Sequence, residues 1–265
     1  MSFLTKLQMQ KIMHNERSLL LAYDQGLEHG PTDFNLNNID PDYVLKIAEK
    51  GKYNGVILHH GIAEKYYDKH NATVPLIVKL NGKTNLVKKD PISSQICSIG
   101  RAVKLGAEAV GYTIYPGSEF EHEMFDDFGK LVETAHTYGI PVIAWVYPRG
   151  KFIKDELSTE TIAYSARIGL ELGADFVKIN YNNDFEGFKW VVKAAGKTKV
   201  LVVGGPKLSD KEVLQRTYEA MKAGASGLAV GRNVWQHDYP LKMTKALKKI
   251  IFDNKSVNEA LKILK

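Results

Sequence analysis

Eight short apolar runs recur along this 265-residue chain, each followed by a polar or Gly/Pro-rich loop and then a helical stretch. The runs fall at residues 19–23, 55–58, 76–80, 109–115, 142–147, 176–179, 200–203 and 227–230. The helical stretches fall at 41–50, 61–70, 92–105, 119–138, 159–172, 184–195, 209–223 and 240–252. Strand then helix, eight times at about 30 residues per unit, predicts an α/β fold, the (β/α)8 TIM barrel. A doubly wound open sheet shares the alternation. Eight consecutive units without a long linker favour the closed form.

Local signals agree. Gly106, Gly173 and Gly224 each stand between a helical stretch and an apolar run, where a left-handed residue ends a helix; Gly51 and Gly139 are looser copies. Ser158 with Glu160, and the capping box Ser209-x-x-Glu212, mark helix starts. No composition shift divides the chain, so 1–265 is expected as one barrel domain with short N-terminal (1–16) and C-terminal (256–264) helical extensions. Val257, Leu261 and Ile263 are the residues the latter has to bury.

Composition narrows the function classes. With 44% hydrophobic and 25% charged residues the chain is neither disordered nor collagen-like. No apolar run is long enough to cross a bilayer. A single cysteine, Cys97, excludes a disulfide framework and a multi-cysteine zinc cluster, and lies in an apolar helical stretch as core. Met1–Lys11 lacks the apolar core and cleavage site of a signal peptide, so a cytoplasmic location is expected. The net charge of +6 suits anionic metabolites, and no zinc-finger, RNA-binding or basic-region pattern points to nucleic acid. Lys242, Lys245, Lys248 and Lys249 opposite Leu241, Leu247, Ile250 and Ile251 read as an amphipathic outer helix. His59 and His60, neighbours on a strand, point to opposite faces and do not share an ion, and His122 lies on a charged helix face. No metal and no cofactor are called for.

In such barrels the chemistry lies at the C-terminal ends of the strands. The first run ends in Tyr23-Asp24-Gln25-Gly26, the fifth in Trp145-Val146-Tyr147-Pro148-Arg149-Gly150, the seventh in Gly204-Gly205-Pro206 and the eighth in Gly231-Arg232-Asn233. The sixth carries Lys178 between Val177 and Ile179. Alternation puts Asp24, Trp145, Tyr147 and Lys178 on faces that meet at one mouth if those faces point inward. A lysine within an apolar strand is rarely buried without a partner. Lys178 snorkels outward between helices, or pairs with Asp175 or Asp184, or serves as an amine that forms a Schiff base. The last role requires a lowered pKa, from desolvation or a cation such as Arg149. Gly204, Gly205, Gly231 and Arg232, with a short helix near 233–237, suit a phosphate, as FMN, nucleotides and sugar phosphates all do; simple turns are the alternative. Asp24 is a strand-end acid or opens an Asx turn, and His29 touches substrate or lies free in its loop.

Together these stretches resemble the archaeal-type class I fructose-1,6-bisphosphate aldolases. The matching segments are Ala22–Pro31, Trp145–Gly150, Gly173–Lys178, Gly204–Lys207 and Val230–Gln236, over five barrel strands in order. The resemblance implies Lys178 as Schiff-base lysine, Tyr147 as proton-transfer residue, Asp24 as strand-1 acid and Trp145 as the aromatic beside the tyrosine. It implies that Gly204, Gly205, Gly231 and Arg232 bind the C1 phosphate of the ketose, and that His29, Gly61 and Lys65 meet the rest of the substrate. Gln25 and Arg149, on the same loops, complete the expected substrate contacts. It also implies phosphorylated sugars as substrates, reversible cleavage in glycolysis or gluconeogenesis, and a homo-oligomer, often a decamer. Gln25 stands where many relatives have His, and Asn182-Asn183 where many have Thr-Gly. Other readings compatible with the residues are a sister Schiff-base enzyme of aromatic precursor synthesis, an FMN barrel oxidoreductase and a non-catalytic sugar-phosphate binder.

Overall fold

The computed structural model describes residues 3–68 and 71–265. Eight parallel strands close into a barrel: β1 (Ser18–Ala22), β2 (Gly55–His59), β3 (Leu76–Lys79), β4 (Ala107–Ile114), β5 (Val142–Val146), β6 (Phe176–Ile179), β7 (Lys199–Val203) and β8 (Gly227–Val230). Each pairs with its sequence neighbour, and β1 closes the ring against β8, with Ser18 opposite Gly227. The expected (β/α)8 architecture is the observed one.

Alternation sorts every strand. Leu20, Ile57, Ile77, Ala109, Ile143, Phe176, Leu201 and Ala229 fill the barrel interior. Their neighbours, among them Leu21, Val56, Val110, Val142, Val177 and Val202, belong to the second core beneath the helices. Both faces are dry, so the strands read as nearly continuous apolar runs. Met9 and Ile12 join the interior cluster, so the N-terminal helix Phe3–Lys11 plugs the bottom of the barrel. The C-terminal helix Val257–Leu261 is capped by a Ser256–Glu259 box and buries Val257, while Leu261 and Ile263 are only partly covered. Residues 1, 2, 69 and 70, at the ends of two expected helical stretches, lie outside the described residues.

The helix boundaries follow their signals. Gly106, Gly139, Gly173 and Gly224 all have positive φ, and Ser158 and Ser209 cap their helices. Gly51 differs: its φ is −75°, and Lys52 takes the left-handed turn instead. The expected helix over 92–105 is shorter, Ile99–Lys104, because Ser98 caps it and Ser94–Gln95 pairs antiparallel with Asn81–Gly82. Cys97 is buried as expected but precedes the helix. His60 begins the helix His60–Tyr66 rather than ending a strand. Leu241 is exposed on its helix, where Met243, Ala246, Leu247 and Ile250 form the buried stripe.

Candidate active site

Above the interior layer the inward side chains turn polar, and a cavity of about 250 Å³ opens at the C-terminal ends of the strands. Asp24, Gln25, His29, Trp145, Tyr147, Arg149, Lys178, Gly204, Gly205, Gly231 and Arg232 all line it. Gly61 and Lys65 do not: both belong to the helix His60–Tyr66, outside the cavity wall, with Lys65 exposed.

Lys178 points inward and is 6% exposed, so it does not snorkel. Its two local carboxylates are engaged elsewhere: Asp175 accepts from His136 and from the Val142 N–H, and Asp184 caps the helix Phe185–Ala194. The Lys178 Nζ lies 4.7 Å from the centre of the Trp145 ring, on the adjacent strand and in register with it. Burial pulls the amine below its ordinary pKa, while Asp24 and Glu28 oppose the shift.

Trp145 depends on a glycine two strands from Lys178. The indole lies across β4 at Gly111, where an added Cβ would stand 2.0 Å from ring atom Cζ3. Among the described residues its Nε1, which is buried, has no partner, and neither has Gln25 Nε2. Orphaned donors at a cavity wall suit a hydroxylated ligand. Burial would push the Asp24 carboxyl up, but the Lys178 and Lys79 ammonium groups overcome it and hold the acid below its usual range. Tyr147 is driven well above an ordinary phenol by burial and then by Asp24, although the Arg149 guanidinium, 5.4 Å from its ring, pulls the other way.

The β7 and β8 ends form one unit. Asn233 donates to the Gly204 and Pro206 carbonyls and accepts from the Leu208 N–H. Gly205 has φ +69°, and a Cβ at Gly231 would meet the Ala22 carbonyl at 2.8 Å. Gly231 starts the short helix Arg232–Trp235, whose first amides have no intrahelical acceptor. Arg232 sits 3.5 Å from Asp33, which also holds His29 at 2.5 Å. Across the mouth, Lys83 and Arg149 flank Glu28 at 3.6 and 3.8 Å.

Sequence reasoning missed Lys79 and Asn81, weighed His59 only as a metal ligand, and named Asn233 only as a strand-end residue beside the phosphate glycines. Lys79 carries the same signal as Lys178, a lysine inside an apolar run. Asn81 and Asn233 have no local signature for these bonds, since the carbonyls they donate to lie 12 to 32 residues away.

An inward lysine at the open end of a parallel barrel, over an indole and beside an acid and a phenol, defines a Schiff-base aldolase site. The chain belongs to the DeoC/LacD aldolase family, whose sequence pattern matches residues 18–237. Within it, relatives of high identity are class 1 fructose-bisphosphate aldolases of archaea. The chain is 48% identical to that of Thermoproteus tenax over 93% of its own length and 94% of the relative's. It is 41% identical to a fructose-bisphosphate aldolase/6-deoxy-5-ketofructose 1-phosphate synthase of Methanocaldococcus jannaschii, over 92% and 84%. A solved archaeal fructose-1,6-bisphosphate aldolase, with its catalytic lysine covalently bound to the carbinolamine intermediate of the substrate, superposes with a TM-score of 0.88. It is 46% identical, covering 94% of this chain and 99% of that one.

Proposed function

We propose that this chain, a one-domain barrel, is a Schiff-base, metal-independent aldolase that reversibly cleaves fructose 1,6-bisphosphate to dihydroxyacetone phosphate and glyceraldehyde 3-phosphate. The observation that carries it is the buried Lys178 amine over the Trp145 ring, in one cavity with Asp24 and Tyr147.

Lys178 Nζ attacks the C2 carbonyl to form a carbinolamine. The Tyr147 phenol, kept protonated by its environment, gives its proton to the departing hydroxyl, which leaves as water, with Asp24 positioning the group. The iminium draws the C3–C4 bonding electrons as the bond breaks. The Tyr147 phenolate left by the first step takes the C4 hydroxyl proton, and the aldehyde departs. The same phenol then protonates the enamine at C3, and water releases dihydroxyacetone phosphate from Lys178. Splitting one hard cleavage into these steps is the gain of covalent catalysis.

The cationic groups support a substrate with two phosphates. Arg232 and the first amides of its helix lie at the β8 end, and Lys83 and Arg149 lie after β3 and β5. Lys178 on β6 sits between these arcs. Gly204, Gly205 and Gly231 take the C1 phosphate, and His29 and Gln25 meet the sugar. The reading includes a place in glycolysis or gluconeogenesis, a cytoplasmic location, and no part for nucleic acid or membrane. Among the described residues, no helix is long and apolar enough to cross a membrane. A homo-oligomer, decameric by family resemblance, is part of it. Tyr164 and Trp190, 70% and 58% exposed on two helices packed against each other, support a surface that another copy covers.

The test is borohydride reduction in the presence of dihydroxyacetone phosphate, read by intact mass and peptide mapping. A triose phosphate adduct on Lys178, lost in Lys178→Met, is the expected result. Turnover near wild type in folded Lys178→Met would refute the mechanism.

A further inference from the structure

A second lysine enters the same cavity. Lys79, the last residue of β3, faces inward and is 4% exposed. Its Nζ lies 5.5 Å from the centre of the Trp145 ring, the ring that also carries Lys178 at 4.7 Å. The proposed reaction uses only one amine, so the other needs an explanation. Burying a second ammonium is costly without a role.

The two amines are held differently. Lys79 Nζ donates to both the main-chain O and the side-chain Oδ1 of Asn81, each at 2.8 Å. Asn81 is itself fixed: its Oδ1 also accepts from the Thr113 N–H, and its Nδ2 donates to the Thr113 and Ser93 carbonyls. Among the described residues, Lys178 Nζ has no hydrogen-bond acceptor, only the face of the indole. Acceptors favour the charged form of Lys79, and nothing comparable favours that of Lys178.

We propose that Lys79 is a positioning residue that acts by charge: an ammonium held by Asn81 at the Trp145 ring that keeps Lys178 as the free amine in the resting enzyme. The proposal rests on the Schiff-base reading of Lys178.

The surrounding charges are compatible with it. The carboxylates of Asp24 and Glu28, from the β1 loop, are the anions acting on both amines. His59 at the end of β2 is neutral at pH 7, because burial and then Lys79 pull it down to about 4. Tyr147 and Tyr115 are kept as neutral phenols, chiefly by burial. Arg149 is occupied by Glu156 and Glu28, Lys83 flanks Glu28, and Arg232 is paired with Asp33. The two buried amines, both at the Trp145 ring, face the buried carboxylate of Asp24, while Glu28 is shared with Lys83 and Arg149. Burial lowers both amines, and the charge of Lys178 adds to the fall of Lys79, to about 8. When the site gives up one proton, the acceptors on Lys79 direct the loss to Lys178.

The experiment follows the rate at which cyanoborohydride traps dihydroxyacetone phosphate on the full-length chain from pH 6 to 10, with the adduct mapped. In Lys79→Met the midpoint of the rate is expected to move up by about one pH unit. The rate near pH 7 then falls about tenfold and the high-pH plateau recovers. Lys79→Arg, which keeps the charge, retains the wild-type midpoint. An unmoved midpoint in Lys79→Met, or an equal loss at every pH, overturns the proposal. Nζ-15N-lysine NMR of the wild type decides the point without any variant. Lys178 losing its proton before Lys79 supports the proposal, and the reverse order overturns it. A wild-type adduct on any residue other than Lys178 would instead refute the Schiff-base reading itself, a failure that mapping separates from the first.

Discussion

Gly111→Ala is the sharpest test of how the barrel builds the surroundings of Lys178. The added methyl would stand 2.0 and 2.1 Å from Cζ3 and Cη2 of Trp145, against an ordinary carbon contact of about 3.5–4.0 Å. Neither side yields easily: Gly111 is strand backbone, in register with Lys79 and Ile143, and Trp145 is 2% exposed. Overpacking of this kind costs about 1–3 kcal/mol. A displaced indole also loses its place beneath Lys178 Nζ, which it holds at 4.7 Å from the ring centre. The variant should therefore unfold at a lower urea concentration and lose about tenfold or more in kcat for fructose 1,6-bisphosphate cleavage. Gly111→Ala placed in a Trp145→Phe background should cost much less, because the clashing outer ring atoms are gone. A wild-type urea midpoint and kcat in Gly111→Ala, or strictly additive effects in the double variant, would refute the reasoning.

Tyr147→Phe should lower kcat by about a hundredfold or more with little change in KM, since the proposed mechanism has the phenol move protons that only the reaction requires. A large KM effect at constant kcat would assign it to binding. Arg232→Ala should raise KM about tenfold; this is the low end for a charge-assisted bond, because Asp33 already draws on the guanidinium. An unchanged KM would move the phosphate elsewhere. His59 has a folded-state pKa of about 4 against roughly 6.5 unfolded, so the unfolded chain binds the extra proton between those values. Its contribution is fully present above pH 6.5 and is lost as pH falls towards 4, of order 2–3 kcal/mol. Urea midpoints from pH 7 to 4.5 should fall less steeply in His59→Gln than in wild type, and equal slopes would exclude the assignment.

Much of the fold is legible because its signals are local. Both faces of each strand are buried, so eight apolar runs stand out, and capping serines and left-handed glycines punctuate the helices between them. The failures are equally physical. The helix expected over 92–105 is interrupted because Asn81 reaches across to Ser93 and Thr113, a tertiary demand invisible in that stretch. Lys178, Tyr147 and Asp24 could be placed from alternation and strand-end position together. Gly61 and Lys65 came from resemblance alone, and the helix they occupy does not face the cavity.

Sequence alone thus determined the barrel, which residues share a strand face and the strand ends that carry the polar residues, because periodicity and caps act over a few residues. Only the tertiary structure decided which groups share one dry space. It turned two lysines on β3 and β6 towards a single indole and made room for that ring with Gly111. It used Asn81 and Asn233 to tie together loops far apart in the chain. Closing the ring sets those distances, and the energies that tune a buried amine depend on them.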